Sequence, residues 1–199
     1  MARRRRAVSA DETPAARFAS RGGLKLAAAL DAFRIDPSGL TCADLGSSTG
    51  GFVDCLLQRG AARVYAVERG YGVLDYRLRR DPRVVVLERT NALTLTLPEA
   101  VSLVTIDTGW TRQRLILPAA VRLLWTGGRI VTLVKPHYES DPGDLHRGRL
   151  PDDRGQTRLS ELRAAIPALG LRLLAEIPSP IRGHGGNQEW LWHLVPTHD

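Results

Sequence analysis

The chain has 199 residues, 43% of them hydrophobic and 25% charged, which suits one globular domain with its own core. No apolar run reaches the roughly 18 residues a membrane-spanning helix needs, and the basic start leads into polar sequence rather than a signal peptide's apolar core; a cytoplasmic protein without membrane attachment is expected. A formal net charge of +7 favours polyanionic partners such as nucleic acid, although a basic surface alone names none.

Residues 1–19 read as a flexible tail, an arginine run from Arg3 to Arg6 followed by small and polar residues. The domain proper is expected over 20–199. Leu24, Ala27, Ala28, Leu30 and Phe33 keep helical spacing between Arg21 and Phe33. Leu40 to Leu45 reads as a short buried strand, a glycine-rich turn from Gly46 to Gly51 follows, and Phe52 to Arg59 as a helix. The alternation continues with a strand at Arg63 to Glu68, a short helix at Leu74 to Arg79, and strands at Val84 to Leu87 and Ser102 to Asp107.

A helix is predicted from Gln113 to Trp125, stopped by Gly127 and Gly128, then a strand from Arg129 to Val134. The polar stretch from Glu139 to Asp153 reads as a long loop. A helix from Thr157 to Leu169 leads to strands at Leu171 to Ile177 and Gln188 to Val195. Strands alternating with helices define an α/β fold of the Rossmann-like kind, a mostly parallel sheet with helices on both faces. The last two strands have no helix between them, so the final strand is expected to run antiparallel.

Cys42 and Cys55 sit in apolar stretches and read as buried thiols. The histidines show no metal-ligand spacing, so no metal is expected. His137 and His184 read as solvated loop residues, Trp190 and Trp192 as core, and Trp110 as either a stacking surface for a base or a core or rim residue. Nearly all basic residues are arginine; lysine occurs only at Lys25 and Lys135. A desolvated lysine can surrender its proton, which a guanidinium does not do.

Ligands of open α/β sheets bind at the carboxyl ends of the strands. There Asp44-Leu-Gly-Ser-Ser-Thr-Gly-Gly-Phe52 supplies a tight turn, and Glu68 closes the second strand, placed to accept hydrogen bonds from ribose hydroxyls. The turn lacks the G-x-G-x-x-G pyrophosphate fingerprint. That favours a nucleoside cofactor whose amino-acid tail, not a diphosphate, meets the glycines.

Six segments together resemble the TlyA/FtsJ-type ribose 2′-O-methyltransferases: Ser20 to Leu26, Asp44 to Phe52, Ala66 to Leu74, Asp81 to Asn91, Leu133 to Glu139 and Gly186 to Trp190. The resemblance implies S-adenosylmethionine as cofactor and RNA, ribosomal RNA or a ribosomal particle, as partner. It implies a cofactor set of Gly46, Ser48, Thr49, Gly50, Gly51, Phe52, Glu68, Asn91 and Asp107. Within it Gly50, Gly51 and Phe52 take the methionine side, Glu68 the ribose, Asn91 the adenine and Asp107 the transferred methyl. Two departures stand out: the S4-type RNA-binding domain of TlyA proteins has only the arginine tail in its place, and Thr108-Gly109-Trp110 replaces Leu-Ser-Phe.

The resemblance also implies a catalytic tetrad of Lys25, Asp107, Lys135 and Glu189. Topology independently gathers these four, because Asp107 and Lys135 end parallel strands, Glu189 begins the antiparallel one, and Lys25 lies near the start of a helix descending across the sheet. Lys135 is the candidate base, oriented by Asp107; Lys25 lowers its pKa and positions the ribose, and Glu189 holds either Lys25 or the hydroxyl. Methylation of a base, a protein or a small molecule on the same fold stays open at this stage, as does a non-catalytic RNA-binding role.

Overall fold

The structure, a computed structural model, describes residues 18–197. The basic tail expected at the start falls outside the described residues up to position 17. Phe18 is buried, and the Ala19 backbone N–H donates to Asp54 Oδ2 at 2.7 Å. The ordered fold thus takes in two residues the sequence reading gave to the tail.

The strands are β1 (Thr41–Leu45), β2 (Arg63–Val67), β3 (Val84–Leu87), β4 (Val101–Ile106), β5 (Leu124–Val134), β6 (Leu171–Pro178) and β7 (Trp190–Pro196). They form one sheet in the order β3-β2-β1-β4-β5-β7-β6. All neighbours from β3 to β5 pair parallel, and β7 runs antiparallel to both β5 and β6. The inverted last strand follows from its connection: residues 179–189 are too few and too irregular to carry a crossover, so β7 folds back between β5 and β6.

The helices are α1 (Gly22–Phe33), α2 (Gly51–Gln58), α3 (Tyr76–Arg79), α4 (Gln113–Val121), α5 (Pro136–Glu139) and α6 (Asp152–Ala165). Leu26 and Leu30 of α1, Val53 and Leu56 of α2 and Leu78 of α3 build one core against the sheet. Ile116, Leu117 and Ala120 of α4 and Leu159 of α6 build the other. Cys42 and Cys55 are both buried in the first core, as their apolar neighbours implied.

The junction of α4 and β5 differs from the sequence reading. The helix predicted to run to Trp125 ends at Val121, and Leu124 already belongs to β5. Leu124 pairs with Val101, whose N–H donates to Leu123 O at 2.8 Å, so strand pairing takes residues the helical period had claimed. Gly127, at φ +85°, lies within the strand rather than stopping a helix.

The segment Glu139 to Asp153 is less of a loop than expected. It holds the end of α5, a single 3₁₀ turn at Pro142–Asp144, a His146–Arg149 bridge and the first residues of α6. Helix α6 starts five residues earlier than Thr157, directly after Pro151, with Asp152 and Asp153 favoured at the positive end of its dipole. It ends at Ala165, ahead of a 3₁₀ turn at Pro167–Leu169, since proline breaks the α-helical ladder.

Candidate active site

Four of the elements converge at one edge of the sheet. β4 and β5 deliver Asp107 and Lys135 at their carboxyl ends, β7 begins just after Glu189, and the first turns of α1 hold Lys25. Lys25 Nζ donates to Glu189 Oε2 at 2.5 Å, and both residues are buried. Lys135 Nζ lies 2.5 Å from Asp107 Oδ1 and donates to Thr108 O at 3.1 Å. The Tyr138 ring stands 5.5 Å from the same ammonium. Both pairs line one cleft of about 340 Å³, together with Ser48, Thr49, Gly51 and Phe52 of the glycine turn. The tetrad read from sequence is therefore assembled, as two ion pairs facing a common space.

A neighbouring cleft of about 550 Å³ runs from Glu68 and Asn91 to Thr108 and Ile116. Gly46, Ser48, Asp107 and Lys135 line both clefts and join them. Glu68 Oε2 accepts from Ser48 N at 2.9 Å and Oε1 accepts from Gly70 N at 2.8 Å, so the carboxylate is fixed while each oxygen keeps a lone pair for a ligand. Asn91 Oδ1 accepts from Leu93 N at 3.0 Å, which steadies the far wall.

The turn explains its own glycines. Gly46 has φ +88°, and a Cβ there would stand 2.7 Å from Asp107 O, closing the junction of the clefts. Gly50, also in the left-handed region, faces the other way: a side chain there would collide with Leu74 and Leu78. It lines neither cleft, and its role in the structure is to let α3 pack against the turn.

Two residues emerge that the sequence reading did not select. Asp44 is wholly buried; Thr105 Oγ1 donates to its Oδ1 at 2.7 Å, while Oδ2 has no partner among the described residues. Burial, reinforced by the negative charges of Asp107 and Glu68 against the Thr105 hydrogen bond, pushes its carboxyl up to about 7. A charged residue closing an otherwise apolar strand was the available signal. His137, expected as a solvated loop residue, is only 7% exposed because Pro136 starts a helical turn that folds it over the cleft. Its Nδ1 has no partner among the described residues. Burial, with Lys135 and Lys25 adding, pushes its imidazole down to about 4.

The tryptophans divide. Trp192 is fully buried, as expected, but Trp190 is half-buried and forms part of a cleft wall. Trp110 is 76% exposed at the rim and stacks on Tyr138 at 4.3 Å. Among the described residues, no three of His, Cys, Asp and Glu gather as they would to hold a metal ion, and no helix is long and apolar enough to cross a membrane.

A seven-stranded sheet with one inverted strand, two clefts at its carboxyl edge and paired lysines and carboxylates between them define a methyltransferase of the Rossmann-like kind. Residues 18–194 match the FtsJ-like methyltransferase family, and the chain belongs to it. It is 45% identical to the 16S/23S rRNA (cytidine-2′-O)-methyltransferase TlyA of Mycobacterium tuberculosis, over 90% of this chain and 69% of that protein. It is 40% identical to YqxC of Bacillus subtilis, whose name marks it as a candidate rRNA methyltransferase, over 89% of this chain and 66% of that one. The crystal structure of a protein named as a hemolysin from Lactococcus lactis superposes with a TM-score of 0.87 at 36% identity, covering 92% of this chain and 89% of that one.

Proposed function

We propose that the chain transfers a methyl group from S-adenosylmethionine to a ribose 2′-hydroxyl of RNA, ribosomal RNA by the names of its relatives, in the cytoplasm. The observation that carries this reading is the tetrad. The only two lysines of an arginine-rich chain stand in one cleft, each against its own carboxylate.

The residues fit the cofactor. The partnerless Asp44 Oδ2 in the smaller cleft suits the methionine ammonium, and the spare lone pairs of Glu68 suit the two ribose hydroxyls. Asn91 and Ile116 line the larger cleft and would hold the adenine, and Asp107, at the junction, would face the sulfonium end. Ser48, Thr49, Gly51 and Phe52 line the amino-acid side, with Gly46 giving way at the centre. The cofactor supplies an activated methyl on a sulfonium, so the protein's remaining task is to orient the hydroxyl and remove its proton.

Lys135 is built for that proton. As a neutral amine its Nζ has two N–H donors, which Asp107 Oδ1 and Thr108 O occupy, and one lone pair left to accept from the hydroxyl. Once protonated, the ammonium rests against the Asp107 carboxylate. Lys25, fixed by Glu189, offers its remaining N–H donors to the ribose oxygens and holds the acceptor in line. Alignment of this kind supplies much of the acceleration in a bimolecular transfer.

The test is direct. The chain is incubated with ribosomal RNA and S-adenosylmethionine carrying a labelled methyl, and the RNA is digested to nucleosides for mass spectrometry. Label on the ribose is expected; label confined to bases, or no transfer at all, overturns the reading.

A further inference from the structure

A third cleft of about 260 Å³ opens beside the catalytic one, between α5, the start of α6 and the connection leading into β7. It is continuous with the catalytic residues along the backbone. Pro136 and His137 follow Lys135, and Gln188 and Trp190 flank Glu189. Successive residues of an extended chain point to opposite sides, so Glu189 lines the catalytic cleft while its two neighbours line the other. His137 belongs to the wall of both.

The cleft is a made one. Asn187, 4% exposed, accepts from Leu150 N at 2.9 Å and donates to Gly148 O at 3.0 Å, tying the β7 connection to the segment before α6. Pro136, Leu150 and the Trp190 indole give the lining an apolar part, and amide groups and the charged Asp152 and Arg182 stand among them. Gln188 spends its Nε2 on Ser179 O and Glu189 O, leaving Oε1 to accept, and the Gln156 side chain is exposed at the mouth. Arg182 sits at the rim, donating to Gly186 O at 2.9 Å with its other side toward Asp152. The volume is below the roughly 300–1,000 Å³ of pockets for drug-sized ligands and suits one planar ring system.

We propose that this cleft takes up a nucleobase adjacent to the methylated nucleotide, seated against the Trp190 indole with the amides of Gln156 and Gln188 at its polar edge. The proposal rests on the RNA methylation reading above. A strand that presents a ribose to Lys135 passes the shared His137 wall, and the next base meets an aromatic face with amide donors and acceptors, the two features by which unstacked bases are bound. The neutral His137 keeps that wall uncharged. Arg182 and the net charge of +7 suit the phosphates that accompany the base.

The experiment uses the full chain and a fluorescein-labelled ribosomal RNA fragment, with affinity read by fluorescence anisotropy. Gln156→Trp fills the mouth from an exposed helix position and should weaken binding about tenfold, the scale of one lost base–aromatic stack. Trp190→Leu should do the same, with melting curves checking its fold. Single abasic positions walked along the fragment should include one that weakens the wild type about tenfold and does not further weaken Gln156→Trp. Wild-type affinity in Gln156→Trp, or no abasic position with that pattern, overturns the nucleobase assignment. Ribose methylation by the wild type is scored on the same RNA. Methylation with an unaffected Gln156→Trp sinks the cleft alone, whereas a wild type that neither binds nor methylates RNA sinks both readings.

Discussion

The Lys25–Glu189 pair is shut away, its side chains 8% and 4% exposed, whereas the Lys135–Asp107 pair keeps 13% and 25% and stands where two clefts meet. The first pair joins the start of α1 to the start of β7, 164 residues apart in sequence. The second joins the ends of neighbouring strands and adds a backbone acceptor at Thr108. Two chemically similar pairs thus differ in setting: the enclosed one ties distant segments together at the wall of one cleft, and the open one faces both clefts.

The largest difference should appear in stability. Removing one partner of an enclosed ion pair strands a buried charge, so Glu189→Ala is expected to cost about 3–5 kcal/mol in denaturant unfolding. Asp107→Asn, at the more exposed pair, should cost no more than about 1 kcal/mol. Equal losses would erase the distinction.

Chemistry should reverse the ranking. Arginine keeps the charge at position 135 but offers no lone pair. Lys135→Arg and Lys135→Ala should both lose at least about a hundredfold in single-turnover methylation, the low end for general acid–base catalysis, with cofactor affinity nearly unchanged. A Lys135→Arg enzyme of near wild-type rate would leave Lys135 an electrostatic role only.

A pH titration sharpens the contrast between the two sides of the site. The Asp44 carboxyl, raised from 3.8 to about 7, holds a proton in the folded chain that the unfolded chain releases. Its contribution to unliganded stability therefore falls as pH rises through that window and is flat above it. His137, lowered from 6.5 to about 4, has the opposite slope, because the unfolded chain binds the proton that the folded chain refuses. The two effects offset in melting curves, but only Asp44 faces the proposed methionine ammonium. Affinity for S-adenosylmethionine measured by calorimetry should rise about tenfold from pH 6 to pH 8 and level off, and Asp44→Asn should flatten the profile. A flat wild-type profile would remove Asp44 from the cofactor site.

The smallest effect concerns the brace of the open pair. Glu139 Oε1 accepts from Gln113 N at 2.7 Å, binding α5, which follows Lys135, to the start of α4, which follows the Asp107 loop. Burial raises the Glu139 carboxyl above its usual value, yet it remains the cap of a neighbouring helix. Glu139→Ala should cost about 1 kcal/mol in thermal unfolding and Glu139→Gln less, since an amide oxygen still accepts. An Ala variant as stable as the wild type would mean that the brace is dispensable.

Local pattern made much of the cofactor half readable. Strands β1 to β4 follow short apolar runs, and the turn from Gly46 to Gly51 announces itself because tight backbone geometry demands glycine. The same rules misplaced the junction of α4 and β5, where Leu124 and Trp125 carry on a helical period but Leu124 pairs with Val101. A residue's period is local; its ladder partner is not.

The sequence by itself determined the alternation of strands and helices, the inverted last strand and the rarity of lysine, while Lys25, Asp107, Lys135 and Glu189 were singled out by the family resemblance. Chain connectivity and residue type suffice for the first three. Only the tertiary structure decided how the four divide into an enclosed and an open pair, that Asp44 carries an oxygen without a partner among the described residues, and that His137 and Trp190 wall a third cleft. Those properties depend on burial and on contacts between segments far apart in the chain, and burial at a given residue is set by what folds over it rather than by its neighbours in sequence.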